Sequence, residues 1–196
     1  MSERVSVSKR IYSETSKRIE KLLSTREESS GKALLAELRR GAGRIPGEMP
    51  ELWGILLRGL PDDLQSRNGE PSYGEWAIYT ALTMFALHQQ GNSESMHKKG
   101  ISLGSAVSRL KKEDTDDEEE RILKRFNQVV TADDMQEFSH YLRNITALLS
   151  SDGIALDYAE LAADIFRFQN PANRYKVRLK WGQDFYSDKK SKGEKS

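Results

Sequence analysis

The sequence predicts an all-α protein of two packed helical bundles, about eight to nine helices in all, with no β-sheet. Three observations lead there. Apolar residues recur at helical spacing through almost the whole chain. Of the 196 residues, 37% are hydrophobic and 31% charged, which suits helices with large solvated faces or surfaces that cover polar partners. Finally, the one passage that alternates like a strand, Tyr175 to Trp181, has no second strand to pair with. It reads instead as a helix through Val177, Trp181 and Phe185, spaced i, i+4, i+8.

In chain order, Ile11, Tyr12, Ile19, Leu22 and Leu23 mark a charged first helix. Gly31 to Arg40 forms the second, with Leu34, Leu35 and Leu38 facing the core and Gly41 as its stop. Pro50 fits the first turn of a third, carrying Leu52, Trp53, Leu56 and Leu57 and ending before Pro61; residues 62–71 are loop. Ser72 with Glu75 makes a capping box for the strongest helix, which is apolar almost all round from Trp76 to Leu87 and closes at Gly91. Such a helix belongs in the centre of a bundle. Ser102 to Lys112 follows as a short helix with Leu103, Ala106, Val107 and Leu110 inward.

Residues 1–112 thus form an N-terminal bundle. Residues 113–120 form an acidic linker that runs into the next helix, where acids suit the dipole. A C-terminal bundle spans 121–187. Ile122, Leu123, Phe126, Val129 and Val130 mark its first helix, and Thr131 is expected to cap the second, built on Met135, Phe138, Leu142, Ile145 and Leu149 up to Gly153. Asp157, with Glu160 as box partner, starts the next, and Asn170-Pro171 opens a basic last helix to about Tyr186. Residues 188–196 are expected to be a disordered basic tail, and the closing 187–196 stretch holds four lysines and no apolar residue.

The net charge of +1 conceals a strong pattern. Residues 1–112 carry 18 basic and 13 acidic side chains, 113–120 carry seven acids and no base, and 121–196 carry 13 basic and 10 acidic. Without the acidic segment the protein stands at +8. The basic surfaces therefore favour anionic partners despite the neutral total.

The chemistry classes narrow quickly. With no cysteine there is no disulfide frame, thiolate zinc site or cysteine nucleophile. No apolar h-region follows Met1, and no apolar run approaches the ~20 residues that span a bilayer, so a cytoplasmic protein without membrane contact is expected. His88, His97 and His140 lack ligand spacing, and the acidic run is read as solvated linker rather than a magnesium site, so no metal is expected. No nucleophile elbow, Walker loop or dinucleotide fingerprint appears, and neither a cofactor nor catalysis is expected.

What remains is a gripping surface. Arg39, Arg40 and Arg44 stand where a helix ends in glycine; Lys98 and Lys99 follow in a loop; Arg109, Lys111 and Lys112 lie at a helix end; Lys124, Arg125 and Arg143 lie in the second half. Any one such cluster more often serves solubility than binding. Several together, set against a separate acidic segment, point to a phosphate-tracking surface, and without a recognition helix or stacking motif the binding is sequence-independent. Trp53, Trp76, Tyr79, Phe85, Phe126, Phe138 and Trp181 fall at helical core positions and read as packing. The competing class is a protein–protein scaffold whose basic patches meet acidic subunits. A metal-dependent nuclease is a third, poorly supported by scattered histidines.

Four stretches resemble a known family. They are Leu38-Arg39-Arg40-Gly41 with Pro50-Glu51-Leu52-Trp53; Trp76-Ala77 through His88-Gln89-Gln90; Met96-His97-Lys98-Lys99-Gly100-Ile101-Ser102-Leu103-Gly104-Ser105-Ala106, the most specific; and His140-Tyr141-Leu142-Arg143 with Leu156 to Ala162 and Trp181 to Tyr186. In order over residues 32–186, they are similar to the CasB family, the small subunit of the type I-E CRISPR surveillance complex, Cascade. The acidic run and the lysine tail have no counterpart in that pattern.

The resemblance implies an all-helical, non-enzymatic subunit in an antiviral ribonucleoprotein complex. It implies a head-to-tail pair of copies lying against the backbone and large subunits. It further implies contact with guide RNA and target DNA, and stabilisation of the displaced non-target strand of the R-loop. Carried over by position, Arg39 and Arg40, Lys98 and Lys99, Lys124 and Arg125, and Arg143 match basic positions of the family. Ser105 departs from an arginine common after Leu-Gly, and Arg109, one turn later, is its substitute. Arg44 joins them from the charge pattern alone. His97 and Ser102 are expected to be structural, as a loop hydrogen-bonder and a helix cap.

Overall fold

The computed structural model describes residues 6–112 and 115–193, with side chains up to residue 187. Among them are nine α-helices: α1 Val7–Thr25, α2 Ser29–Gly41, α3 Trp53–Leu56, α4 Tyr73–Gln89, α5 Leu103–Ser108, α6 Asp116–Thr131, α7 Met135–Ser151, α8 Tyr158–Gln169 and α9 Pro171–Gly193. No sheet forms among the described residues, and one isolated bridge pairs His97 with Leu156.

Helix α4 is the axis. The Ser72 hydroxyl accepts from the Glu75 N–H at 3.0 Å while the Glu75 carboxylate accepts from the Ser72 N–H at 2.8 Å, so the predicted box is complete. Past that cap nearly every side chain is buried, from Ala77 to Phe85 on all sides. α1, α2, α7 and α8 pack around it, α9 packs on α5 and α8, and α6 lies on α7. Gly104 permits the α5–α9 contact: a Cβ there would stand 2.1 Å from the Trp181 carbonyl oxygen.

Several local expectations change. One continuous core runs through both halves, with α1 and α4 seated directly on α8, as packed bundles require. The acidic 113–120 run is only partly linker. Thr115 caps α6 by accepting from the Glu118 N–H at 3.4 Å, and Asp116–Glu120 form its first turns, where the positive helix end favours carboxylates. Glu113 and Asp114 lie outside the described residues.

Thr131 does not cap α7. Its hydroxyl donates to the Asn127 carbonyl within α6, and Asp134 takes the cap, accepting from the Glu137 N–H at 2.8 Å. Asp157 does cap α8, but Glu160 completes no box because its carboxylate is held by Lys180 Nζ at 2.6 Å. The third helix shrinks to a 3₁₀ turn at Pro50–Leu52 and the four residues of α3, and α5 stops at Ser108. α9 passes Tyr186 and continues to Gly193, so the expected disordered tail at 188–196 is helical over 188–193. Residues 194–196 lie outside the described part.

A buried arginine that sequence patterning overlooks ties α1 to the last residues of α3. Arg18 donates to the carbonyls of Ile55 at 2.8 Å and Leu56 at 3.2 Å, and pairs with Glu14 at 2.6 Å. These bonds satisfy the carbonyls that so short a helix leaves unpaired at its end.

Candidate nucleic-acid interface

The expected basic residues fall in four places. The first is the turn after α2, where Arg39 is half-buried and Arg40 and Arg44 are exposed. Arg40 pairs with Glu37, and Arg44 Nε donates to the Arg40 carbonyl at 3.2 Å. The Tyr79 hydroxyl of α4 anchors the turn by donating to the Gly41 carbonyl at 3.0 Å. Burial and the nearby Glu48 push that phenol up to about 12, so it stays a donor, with Arg44 opposing the shift. Trp53 is not core as expected: half-exposed, it donates through Nε1 to the Gly47 carbonyl at 3.4 Å and closes the loop from outside.

The second place is the Lys98–Lys99 loop, which Asp157 and His97 fasten to the start of α8. The Lys98 N–H donates to the Leu156 carbonyl at 3.1 Å, and the Gly100 N–H donates to Asp157 Oδ2 at 2.9 Å. The Tyr158 N–H donates to His97 Nδ1 at 3.1 Å, a role that only a neutral ring can fill. Burial lowers the His97 pKa, and Lys99 adds to that against Asp157 and Glu20. Ser102 caps α5, accepting from the Ser105 N–H at 3.3 Å. Lys99 stands 4.0 Å from Glu20, while Lys98 is exposed and makes no ion pair among the described residues.

The third place is the end of α5, where Arg109 is exposed. The lysines that follow it are committed to carboxylates: Lys111 pairs with Glu119 at 3.3 Å and lies over the Phe185 ring, and Lys112 pairs with Asp152 at 3.2 Å.

The fourth place is a cleft of about 350 Å³ between α6 and α7. Arg121, Lys124, Arg125 and Gln128 line one wall and Tyr141, Asn144 and Ile145 the other, without a carboxylate. Lys124 and Arg125 make no ion pair among the described residues, and Arg121 is 3.8 Å from Glu118. Of the nine expected site residues, Lys124 and Arg125 converge on this cavity. Arg143 is exposed on α7 but outside the lining. Arg121, Tyr141 and Asn144 were missed, although 121, 124, 125 and 128 follow the i, i+3, i+4, i+7 rule of a single helix face.

The histidines lie apart. His88 is buried in α4 with Nδ1 2.8 Å from the Tyr158 hydroxyl, and burial lowers its pKa to about 4. His140 is exposed on α7 against the Tyr141 ring. Among the described residues no three His, Asp or Glu side chains gather as a metal site, and no helix is long and apolar enough to cross a membrane.

Residues 34–186 match the family model described as CRISPR-associated protein Cse2. The structure is similar to CasB from Thermobifida fusca, at 32% identity and a TM-score of 0.75, over 90% of this chain and 97% of that one. It also shares the fold of a Cse2-family CRISPR-associated protein from Thermus thermophilus (22% identity, TM-score 0.66, 93% and 99% covered). The fold recurs in CasB from M. ruber (24% identity, TM-score 0.66, 91% and 98% covered). No curated protein sequence matches the chain. The match across most of its length, joined to a relative of the same fold at 32% identity, places this chain in the Cse2 (CasB) family of CRISPR-associated proteins.

Proposed function

We propose that this protein is the non-catalytic small subunit of a type I-E Cascade complex in the cytoplasm. In this reading it holds nucleic-acid backbone without regard to sequence, steadying the guide RNA assembly and the displaced non-target DNA strand. Its partners are the backbone and large subunits and a second copy of itself arranged head to tail. The observation that carries the reading is the α6–α7 cleft, where three cationic side chains meet without a lining carboxylate. A cleft lined by cations, amides, one phenol and one isoleucine, with no carboxylate, attracts phosphates and offers no fixed pattern for reading base edges. Arg39, Arg40 and Arg44, Lys98 and Lys99, Arg109 and Arg143 extend the grip at separate points. Exchanging a DNA duplex for a guide heteroduplex is nearly balanced in free energy, so a few phosphate contacts to the freed strand decide whether it persists.

The test is fluorescence anisotropy of single-stranded DNA over a salt series, comparing the native chain with Lys124→Glu/Arg125→Glu. Two random-sequence oligonucleotides are expected to bind alike with a steep negative salt slope. Losing two phosphate contacts is expected to flatten that slope by about 1.4. An unchanged affinity and slope in the double variant would remove the cleft from the interface. Binding to partner subunits without measurable binding to DNA would favour a protein scaffold instead.

A further inference from the structure

The cleft between α6 and α7 has two unlike walls. Arg121, Lys124 and Arg125 all stand on α6, where the spacing i, i+3, i+4 sets them on one face within about 6 Å of helix axis. Tyr141, Asn144 and Ile145 repeat that spacing on α7 and bring no charge. Ile145 is buried, and the half-buried Tyr141 ring meets the His140 ring at 5.4 Å and 69°.

Phosphates account for the α6 wall alone. A phosphate oxygen accepts hydrogen bonds, and Lys124 and Arg125 make no ion pair among the described residues that would compete for it. The same oxygen has nothing to donate to the amide carbonyls of Gln128 and Asn144, and no flat face to lay on Tyr141. Neither amide is hydrogen-bonded among the described residues. The cleft, at about 350 Å³, falls within the ~300–1,000 Å³ of pockets that take a small organic molecule. A ligand that suits both walls has an anionic end, a flat body, and donors and acceptors along its rim. A nucleotide has all three.

We propose that the α6–α7 cleft seats one nucleotide of a single strand, its phosphate on Lys124 and Arg125 and its base turned inward against Tyr141, with the Gln128 and Asn144 amides at the edge of the base. The inference rests on the nucleic-acid reading above and adds a base to the phosphates which that cleft would hold. Every base has a π-face, and a rotated amide offers either a donor or an acceptor, so the seat tolerates any sequence. A second aromatic cleft makes the contrast. Tyr73 and Trp76 line it beside Glu70, Asp133 and Asp134, whose charge repels a strand.

The experiment uses the full chain and two probes of equal length and charge, a mixed-sequence DNA oligonucleotide and one whose sugars carry no bases. Tyr141→Ala is expected to weaken binding of the mixed-sequence strand about tenfold, the loss of one stacked base. The salt slope is expected to stay as it was, because no phosphate contact is lost. Tyr141→Phe keeps the ring and is expected to restore binding to near the native level. Gln128→Ala/Asn144→Ala, at two exposed positions, is expected to weaken the same strand about threefold. The abasic strand is expected to bind more weakly than its parent and to ignore all three variants. Tyr73→Ala, at the acidic cleft, is expected to change neither affinity.

Equal affinity of the native chain for the two strands would overturn the seat and leave the phosphate cleft standing. So would a Tyr141→Ala chain that binds both strands like the native protein. Should circular dichroism show that Tyr141→Ala disturbs the fold, the amide variant decides in its place, and native affinity there overturns the seat. A Tyr141→Ala chain that keeps its DNA affinity but no longer copurifies with the other subunits would also overturn it, making the α7 wall a protein dock. If Lys124→Glu/Arg125→Glu leaves both affinities and both slopes unchanged, the cleft itself is no interface and the seat falls with it.

Discussion

Helices α4 and α9 both carry apolar side chains on more than one face, and they end in opposite situations. α4 is surrounded by α1, α2, α7 and α8, so its apolar girth is core. α9 touches the core along one side only and holds Tyr175, Leu179 and Tyr186 to solvent on the other. In sequence the two already differ, since α4 holds a single charged residue, Glu75, whereas α9 sets its apolar residues among seven basic ones. How completely each is covered depends in addition on the number of neighbours it can reach, which is a property of the tertiary fold.

The inner face of α9 should behave like core. Trp181 packs among Phe126, Phe138 and Phe168, with ring centroids 5.7 to 6.4 Å away, and its Nε1 donates to the buried Asp164 at 2.8 Å. Trp181→Ala is expected to lower stability by ~3–5 kcal/mol in urea unfolding, the usual cost of a large aromatic cavity. It also withdraws a donor from Asp164, which Arg167 and Lys180 still reach. A loss below about 1 kcal/mol would mean that the C-terminal helix is a loosely docked appendage and that the contrast with α4 lies in attachment rather than in its two faces.

The axis itself should be sensitive to acid. His88 is fully buried in α4, and its pKa falls from 6.5 to about 4. Because the folded value lies below the unfolded one, the unfolded chain binds the extra proton. Its contribution is therefore complete above pH 6.5 and is lost as the pH drops towards 4, by about 3 kcal/mol in all. His97, also lowered, acts in the same direction. Urea midpoints compared at pH 7.5 and 4.5 are expected to fall, and His88→Gln is expected to flatten that fall whatever it does to stability at neutral pH. A variant with the native pH dependence would place the acid sensitivity elsewhere.

Much of the architecture could be read directly from the residues. The 3.6 period located every helix, Ser72 and Glu75 located the α4 cap, and the stripe through Val177, Trp181 and Phe185 decided helix over strand. Caps were less legible because neighbouring candidates compete: Thr131 and Asp134 both suit an N-cap, and the chain geometry chooses Asp134. Depth was the least legible property. Nothing in the pattern around Arg18 or Asp164 says that these charges are buried and matched to partners that arrive from elsewhere in the sequence.

The candidate interface was half legible for the same reason. Basic residues could be counted from sequence, but which of them have a carboxylate neighbour depends on contacts such as Lys112 with Asp152. The α6 face shows the remedy: Arg121 stands one turn before Lys124 and Arg125, and the helical period alone groups them on one face. Trp53 misleads in the opposite way, since an aromatic residue at helical spacing suggests packing even where it lies half-exposed.

The smallest expected effect tests the contrast most directly. Leu179 occupies the centre of the outer stripe and is 59% exposed, whereas Leu82, in the middle of α4, is 1% exposed. If the outer face of α9 takes no part in holding the free protein together, Leu179→Gln should change stability by no more than ~0.5 kcal/mol, as ordinary surface substitutions do. In a chain of this length that is a shift of less than about 2 °C in Tm, readable by a thermal melt. A fall of several degrees would show that Leu179 is already covered in solution, by a second copy or by the end of its own helix. The stripe would then be a structural seam like the faces of α4, with no room on it for a partner.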